Sequence, residues 1–215
     1  MLARVTALAA SVLVAGCSVF GDRSGTEEPT FDVVAQIGAV EIRRYGARLA
    51  AETVIHADEA TARNQGFRLL AGYIFGANRG AVTIAMTAPV AQQGAAQQQA
   101  GTNIAMTAPV SQARDATGAC VIRFFLPREW TMATLPVPND PAVRLVTVPS
   151  DTVAVLRFTG GRGPDAVAAR QAELLRTLQG TPWRVSGPPL AWFYDPPWTL
   201  PWLRRNEVAV AVAGQ

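Results

Sequence analysis

Seven residues, Ile-Ala-Met-Thr-Ala-Pro-Val, occur twice without a change, at 84–90 and again at 104–110. The repeat constrains the fold because each copy alternates larger and smaller side chains, as a strand does, and then meets Ala-Pro. Proline has no N–H to offer a continuing ladder, so each copy is expected to be a short strand ending there. Residues 91–103 between them are mostly Gln, Ala and Gly with no helical apolar stripe, which fits a long hairpin connection. A local duplication of one strand, with no chemistry of its own, is the plainest reading.

Around the repeat the hydrophobic periodicity predicts strands at 32–36, 40–45 and 47–55, the second alternating Val40, Ile42 and Arg44 with Glu41, Arg43 and Tyr45. Asp58 is placed to cap a helix over 59–75 that Gly76 ends. A second half repeats the order. It has a strand at 120–126, an irregular stretch to Pro141, and strands at 143–148 and 152–158. Pro164 and Gly180 then bracket a second helix, and strands at 190–193 and 207–212 follow. Two similar halves of strands and one helix each predict a single α+β domain over 31–215.

The N-terminus reads differently. Arg4 precedes eleven apolar or small residues, too few for a bilayer core that needs ~20. Residues 1–16 therefore read as a signal peptide. Val14-Ala15-Gly16-Cys17 resembles a bacterial lipobox, which implies cleavage before Cys17, acylation of that residue, and membrane attachment through its lipids. Residues 17–30, polar and containing Gly and Pro, would be the tether. Ser18 after the cysteine resembles the pattern of lipoproteins passed to the outer membrane, facing the periplasm.

Absences narrow the chemistry. The chain has no lysine, which excludes Schiff-base catalysis, and a single histidine, His56, which excludes a multi-histidine metal site. No Gly-x-Ser-x-Gly elbow is present to suggest a hydrolase. Cys120 would be the one cysteine left after lipidation, so no internal disulfide is expected. Losing Arg4 takes the basic count from 19 to 18 against 16 acidic residues, a charge near +2 that gives no argument for nucleic acid.

Two stretches carry more apolar surface than a core explains. With about 100° per residue, Leu70 and Ile74 fall to one side of Phe67, while Ala71 and Phe75 fall to the other. That arc is too wide for one contact. It either packs against two things or offers a surface to a flat apolar ligand. The second stretch is Phe193-Tyr194-Asp195-Pro196-Pro197-Trp198-Thr199-Leu200-Pro201-Trp202, whose prolines make it a loop despite its aromatic content.

Five motifs in collinear order resemble the SOUL heme-binding protein family. They are Glu41-Ile42-Arg43-Arg44-Tyr45-Gly46, Tyr73-Ile74-Phe75-Gly76-Ala77-Asn78 followed by Met-Thr-Ala-Pro-Val, Arg123-Phe124-Phe125-Leu126-Pro127, Tyr194-Asp195-Pro196-Pro197, and Arg204-Arg205-Asn206-Glu207-Val208. The resemblance implies a distorted antiparallel barrel of about eight strands, flanked by two helices, with a pseudo-twofold relation between the halves. It also implies noncovalent heme or related tetrapyrrole between the outer face of the first helix and the Pro-rich loop, for carriage or buffering and without catalysis. By motif alignment the binding positions are Asn64, Phe67 and Ala71 on the helix and Tyr194, Pro197, Trp198 and Trp202 on the loop. Arg68, Arg204 and Arg205 are candidates to pair with propionates. For Arg204 and Arg205 a structural ion pair with Glu207 or a nearby acid is the simpler role. His56 lies outside every motif and is the weaker candidate for an axial ligand. Met86, Met106, Tyr45 and Tyr73 read as core. The alternative from another class is a non-catalytic envelope module whose Trp-rich loop contacts a protein or lipid.

Overall fold

The computed structural model describes residues 26–79, 108–115, 117–196 and 198–214. The signal segment, Cys17, the first copy of the repeat, the 91–103 linker and Pro197 lie outside them, as do Met86 and Met106. The elements in order are β1 (Phe31–Ile37), β2 (Val40–Tyr45), β3 (Arg48–Ile55), α1 (Glu59–Ile74), β4 (Asn78–Arg79), β5 (Val110–Arg114), β6 (Cys120–Phe125) and β7 (Val137–Pro138). There follow β8 (Arg144–Val148), β9 (Asp151–Phe158), α2 (Pro164–Leu178), β10 (Trp183–Val185), β11 (Leu190–Phe193), a 3₁₀ turn (Pro201–Leu203) and β12 (Asn206–Gly214).

Ten strands form one antiparallel sheet in the order β1-β2-β9-β12-β11-β5-β6-β3-β8, with β10 joined to β12, and β4 pairs with β7 apart from it. The expected barrel is corrected here. The path ends at β1 on one side and β8 on the other, so among the described residues the sheet does not close. The α+β class and the two helices stand as expected.

Residues 104–107, where the second copy of the repeat is expected to form a strand, lie outside the described residues. What is described begins a strand, β5, at Val110, just past Pro109, whose missing N–H is harmless immediately before a ladder. From Val110 on, the backbone pairs on both sides, with Phe193 of β11 and Phe124 of β6.

Each helix covers its own part of the core. Asp58 caps α1 by accepting from the backbone N–H groups of Ala60 and Thr61, both at 3.0 Å. Gly66 lets α1 lie on β6: a Cβ there would stand 2.7 Å from Cγ1 of Ile122. Leu70, Tyr73 and Ile74 of α1 bury against Ile122 and Phe124. Leu174 and Leu178 of α2 bury against Ile42, Leu156 and Val208. Tyr45, Val153, Trp192 and Tyr194 form a third cluster. The buried half of α1 accounts for the arc on one side of Phe67. The other half is what the fold leaves over.

Candidate functional site

Phe67 in α1 and Phe75 at its C-cap are 40% and 54% exposed, although Gly66 and Ile74 directly before them are buried. Phe67 leans its ring on the edge of Phe124 at 5.3 Å between centroids, so it is anchored to the core while presenting a face outward. Asn64 and Arg68 are exposed on either side of it in sequence, and Ala71 is half-buried against the core beneath α1. In the loop Trp198 and Trp202 are 61% and 67% exposed, the largest outward-facing aromatic surfaces among the described residues. The 3₁₀ turn and Gly160 hold this loop to the start of α2 through a Gly160 N–H to Pro201 O bond of 2.9 Å.

What links helix and loop is a pair of arginines that the sequence reading did not select. Arg63 lies one helical turn before Phe67, on the same side of α1. Its guanidinium donates to the carbonyl of Arg162 at 3.3 Å and lies 5.0 Å from the Phe193 ring centre. Arg162, in the glycine-rich turn before α2, donates in turn to the carbonyl of Asp195 at 3.3 Å and lies 6.0 Å from the same ring. Arg204 closes the group by donating to Thr199 O at 2.7 Å. Burial first, and then the positive charges of Arg63 and Arg204, pull the Arg162 guanidinium down to about 10. Arg63 is likewise lowered, chiefly by burial. Three cations drawn together beside exposed aromatics favour an anionic group.

Tyr194 is placed differently from the expectation. It is only 9% exposed, and its hydroxyl donates to Oε2 of Glu207 at 2.7 Å, so it faces the interior and not the helix–loop surface. The fully buried Glu207 also accepts from Arg43 at 2.8 and 3.2 Å and from Arg205 at 3.0 and 3.1 Å. Arg205 reaches Glu28 as well, at 3.0 Å, which makes its role the structural ion pair. Burial pushes the Tyr194 hydroxyl well up, and the Glu207 charge adds to it. Burial alone would raise Glu207 too, but hydrogen bonds from Arg43 and the charges of Arg43 and Arg205 hold it below the usual carboxylate value.

His56 is exposed in the connection between β3 and α1. Asp115 is lowered first by its hydrogen bond from the Thr117 side chain, with His56 a minor contributor. Cys120 is buried and faces the carbonyl of Ala57. Among the described residues no helix is long and apolar enough to cross a membrane.

These features define a class: an antiparallel α+β protein with one helix face and one loop left apolar around a basic centre. The family model of the SOUL heme-binding proteins matches residues 26–211, and the chain belongs to that family. No curated protein matches it. The fold is similar to the EcmrR C-terminal domain, at 10% identity and TM-score 0.58, with 82% of this chain and 98% of that one covered. It is also similar to a hydrolase from Listeria innocua, at 11% identity and TM-score 0.51, covering 84% and 94%. At these identities the likeness extends to the fold alone.

Proposed function

We propose that the protein binds heme or a related tetrapyrrole noncovalently between the outer face of α1 and the 195–202 loop, as a lipid-anchored protein of the bacterial envelope. Membership of a heme-binding family supports the ligand class. The observation that carries the location is the adjacency of exposed Phe67 to the Arg63–Arg162–Asp195 chain of contacts leading to the Trp198 loop.

The residues suit the two ends of such a ligand. Phe67, Trp198 and Trp202 would cover the apolar ring, each worth about 1.5–3 kcal/mol when fully buried. Arg63 and Arg162 would receive propionates as charge-assisted hydrogen bonds, with Arg68 and Arg204 at the margin. A bound carboxylate would also relieve the mutual repulsion that lowers Arg162. The iron itself would not rely on His56, which precedes α1 and belongs to none of the family motifs. The role is binding, for carriage or buffering, with the reactivity of heme left unused.

A Soret titration of the full-length chain with hemin tests the reading. Saturable binding at one equivalent supports it, and an unchanged free-hemin spectrum contradicts it. Attachment is tested separately by metabolic labelling with a fatty acid, which should mark the wild type and not Cys17→Ala. Equal labelling of both would remove the anchor while leaving the heme reading intact.

A further inference from the structure

The chain enters the domain at the foot of its aromatic loop. The backbone N–H of Tyr194 donates to the carbonyl of Arg205 at 3.3 Å and closes the loop between them. Glu28, near the start of the described residues, accepts from Nη1 of Arg205 with both carboxylate oxygens, at 3.0 and 3.1 Å. Trp202 is three residues from Arg205, no more than about 11 Å along an extended backbone. A membrane attachment upstream of Glu28 therefore brings this loop with it.

The loop tip is apolar where it is most exposed. Trp198 and Trp202 are more than half exposed, and Pro201 and Leu203 are exposed beside Trp202 in the 3₁₀ turn. An indole is an apolar plate with one polar N–H, which suits it to the boundary between lipid headgroups and hydrocarbon. The only acid in residues 195–205 is Asp195. It is buried, and its carboxylate accepts from the backbone N–H of Arg205 at 2.6 Å. Arg204, half-buried directly after the turn, donates to Thr199 O through Nε. An apolar tip with a cation behind it and no exposed acid suits an anionic phospholipid surface.

The length of chain ahead of the domain selects that partner over a protein. Eleven residue steps separate Cys17 from Glu28, about 40 Å at full extension. With Cys17 lipidated, a link this short makes contact with the bilayer intramolecular, at an effective concentration on the order of mM. A small contact of two indoles and a leucine is enough under that condition.

We infer that the tip of this loop docks on the anionic phospholipid bilayer that carries the chain's own anchor. Trp202 and Leu203 lie at the headgroup–acyl boundary with Trp198 beside them, and Arg204 faces lipid phosphates. This docking rests on the lipid anchor of the proposed function and not on heme.

The test takes the full-length, unprocessed chain from cell-free synthesis and couples Cys17 to a maleimide lipid in vesicles of phosphatidylcholine and phosphatidylglycerol. Cys120 is buried, which leaves the maleimide to Cys17. Coupling replaces acylation, so the result does not depend on whether cells lipidate Cys17, which fatty-acid labelling reads separately. Hemin titration without vesicles likewise reads the heme site alone. Residues 1–30 contain no tryptophan, so indole fluorescence reports the domain. Phospholipids brominated in the acyl chain should quench that fluorescence by roughly a third, since two of the five indoles are at the boundary. Quenching should fall at least threefold in Trp198→Phe combined with Trp202→Phe, and about twofold on phosphatidylcholine alone. Absence of quenching in the wild type overturns the proposal, as does undiminished quenching in the double variant. A blue shift without quenching that grows with protein density would assign the loop to a second copy of the chain and overturn it too. Equal quenching on phosphatidylcholine alone would overturn the role given to Arg204.

Discussion

Two groups of arginines in this molecule face opposite situations. Around Glu207, Arg43 and Arg205 converge on a fully buried carboxylate that also takes the Tyr194 hydroxyl, so charge and hydrogen-bonding capacity are matched inside the core. Beside the Trp198 loop, Arg63 and Arg162 reach backbone carbonyls and the face of Phe193, and they repel one another. Burial raises the stakes in both places, because water no longer screens the charges. The first group is finished as it stands and holds β2, β12 and the 195–205 segment together. The second is the one that an anion would balance under the proposed function. Sequence composition does not separate them, since all six side chains except Glu207 and Tyr194 are simply arginines in a lysine-free chain.

The contrast breaks most visibly at Glu207. Glu207→Gln takes from Arg43 and Arg205 the buried carboxylate they share, leaving them only the more exposed Glu41 and Glu28, and removing one member of such a cluster costs about 3–5 kcal/mol. Urea unfolding of the variant measures it. The pH dependence has a definite sign. Because the folded protein holds Glu207 below its ordinary value of 4.5, its contribution is present above that pH and is lost as pH falls toward the folded value. Unfolding free energy of the wild type should therefore fall on acidification below 4.5, and Glu207→Gln should flatten that fall. A wild-type profile equally flat in this range would place the carboxylate outside any coupled network.

The arginines by the loop should respond in the opposite sense. Arg63→Gln with Arg162→Gln removes repelling charges, so the melting temperature should stay within about 2 °C, under 1 kcal/mol for a domain of this size. Hemin affinity should fall about tenfold, or 1.4 kcal/mol. Large destabilisation with unchanged hemin binding would make this group a structural cluster like the first. The smallest expected effect is at His56. His56→Ala should change hemin affinity less than about threefold, under 1 kcal/mol. A tenfold loss with a change in iron coordination would move the binding surface to the β3–α1 junction.

Much of this architecture was legible from residue patterns. The alternation across 40–45 marks β2 at both ends, and the Asp58 cap and Pro164 mark the starts of both helices where the structure has them. The failures are physical in origin. β5 starting directly after Pro109 is not foreseen from the repeat, because a proline's missing N–H is as compatible with the start of a ladder as with its end. Strand β10 was missed because three residues, pairing only with the end of β12, give no readable period. Barrel closure concerns which edges meet, and side-chain alternation is the same in an open sheet.

The candidate site was readable in part for similar reasons. Exposure of Phe67 and Trp198 follows from an apolar arc too wide for one contact and from a proline-rich loop too aromatic for its backbone. Arg63 could have been found by stepping one turn back from Phe67 along the helix. Arg162 could not, since its nearness to Arg63 spans 99 residues and rests on how the turn before α2 folds over Phe193. Tyr194 was read outward from its loop, and the interior carboxylate that turns it inward is thirteen residues away in the chain.

The most direct test of the account compares hemin binding and stability in Phe67→Ala combined with Trp198→Ala. Both side chains are substantially exposed, so the melting temperature should change far less than the 3–5 kcal/mol per site of a buried aromatic truncation would require. Hemin affinity, read from the Soret band, should fall at least thirtyfold, about 2 kcal/mol. A folded double variant that binds hemin as tightly as the wild type would contradict the central claim and move the ligand away from the helix–loop face.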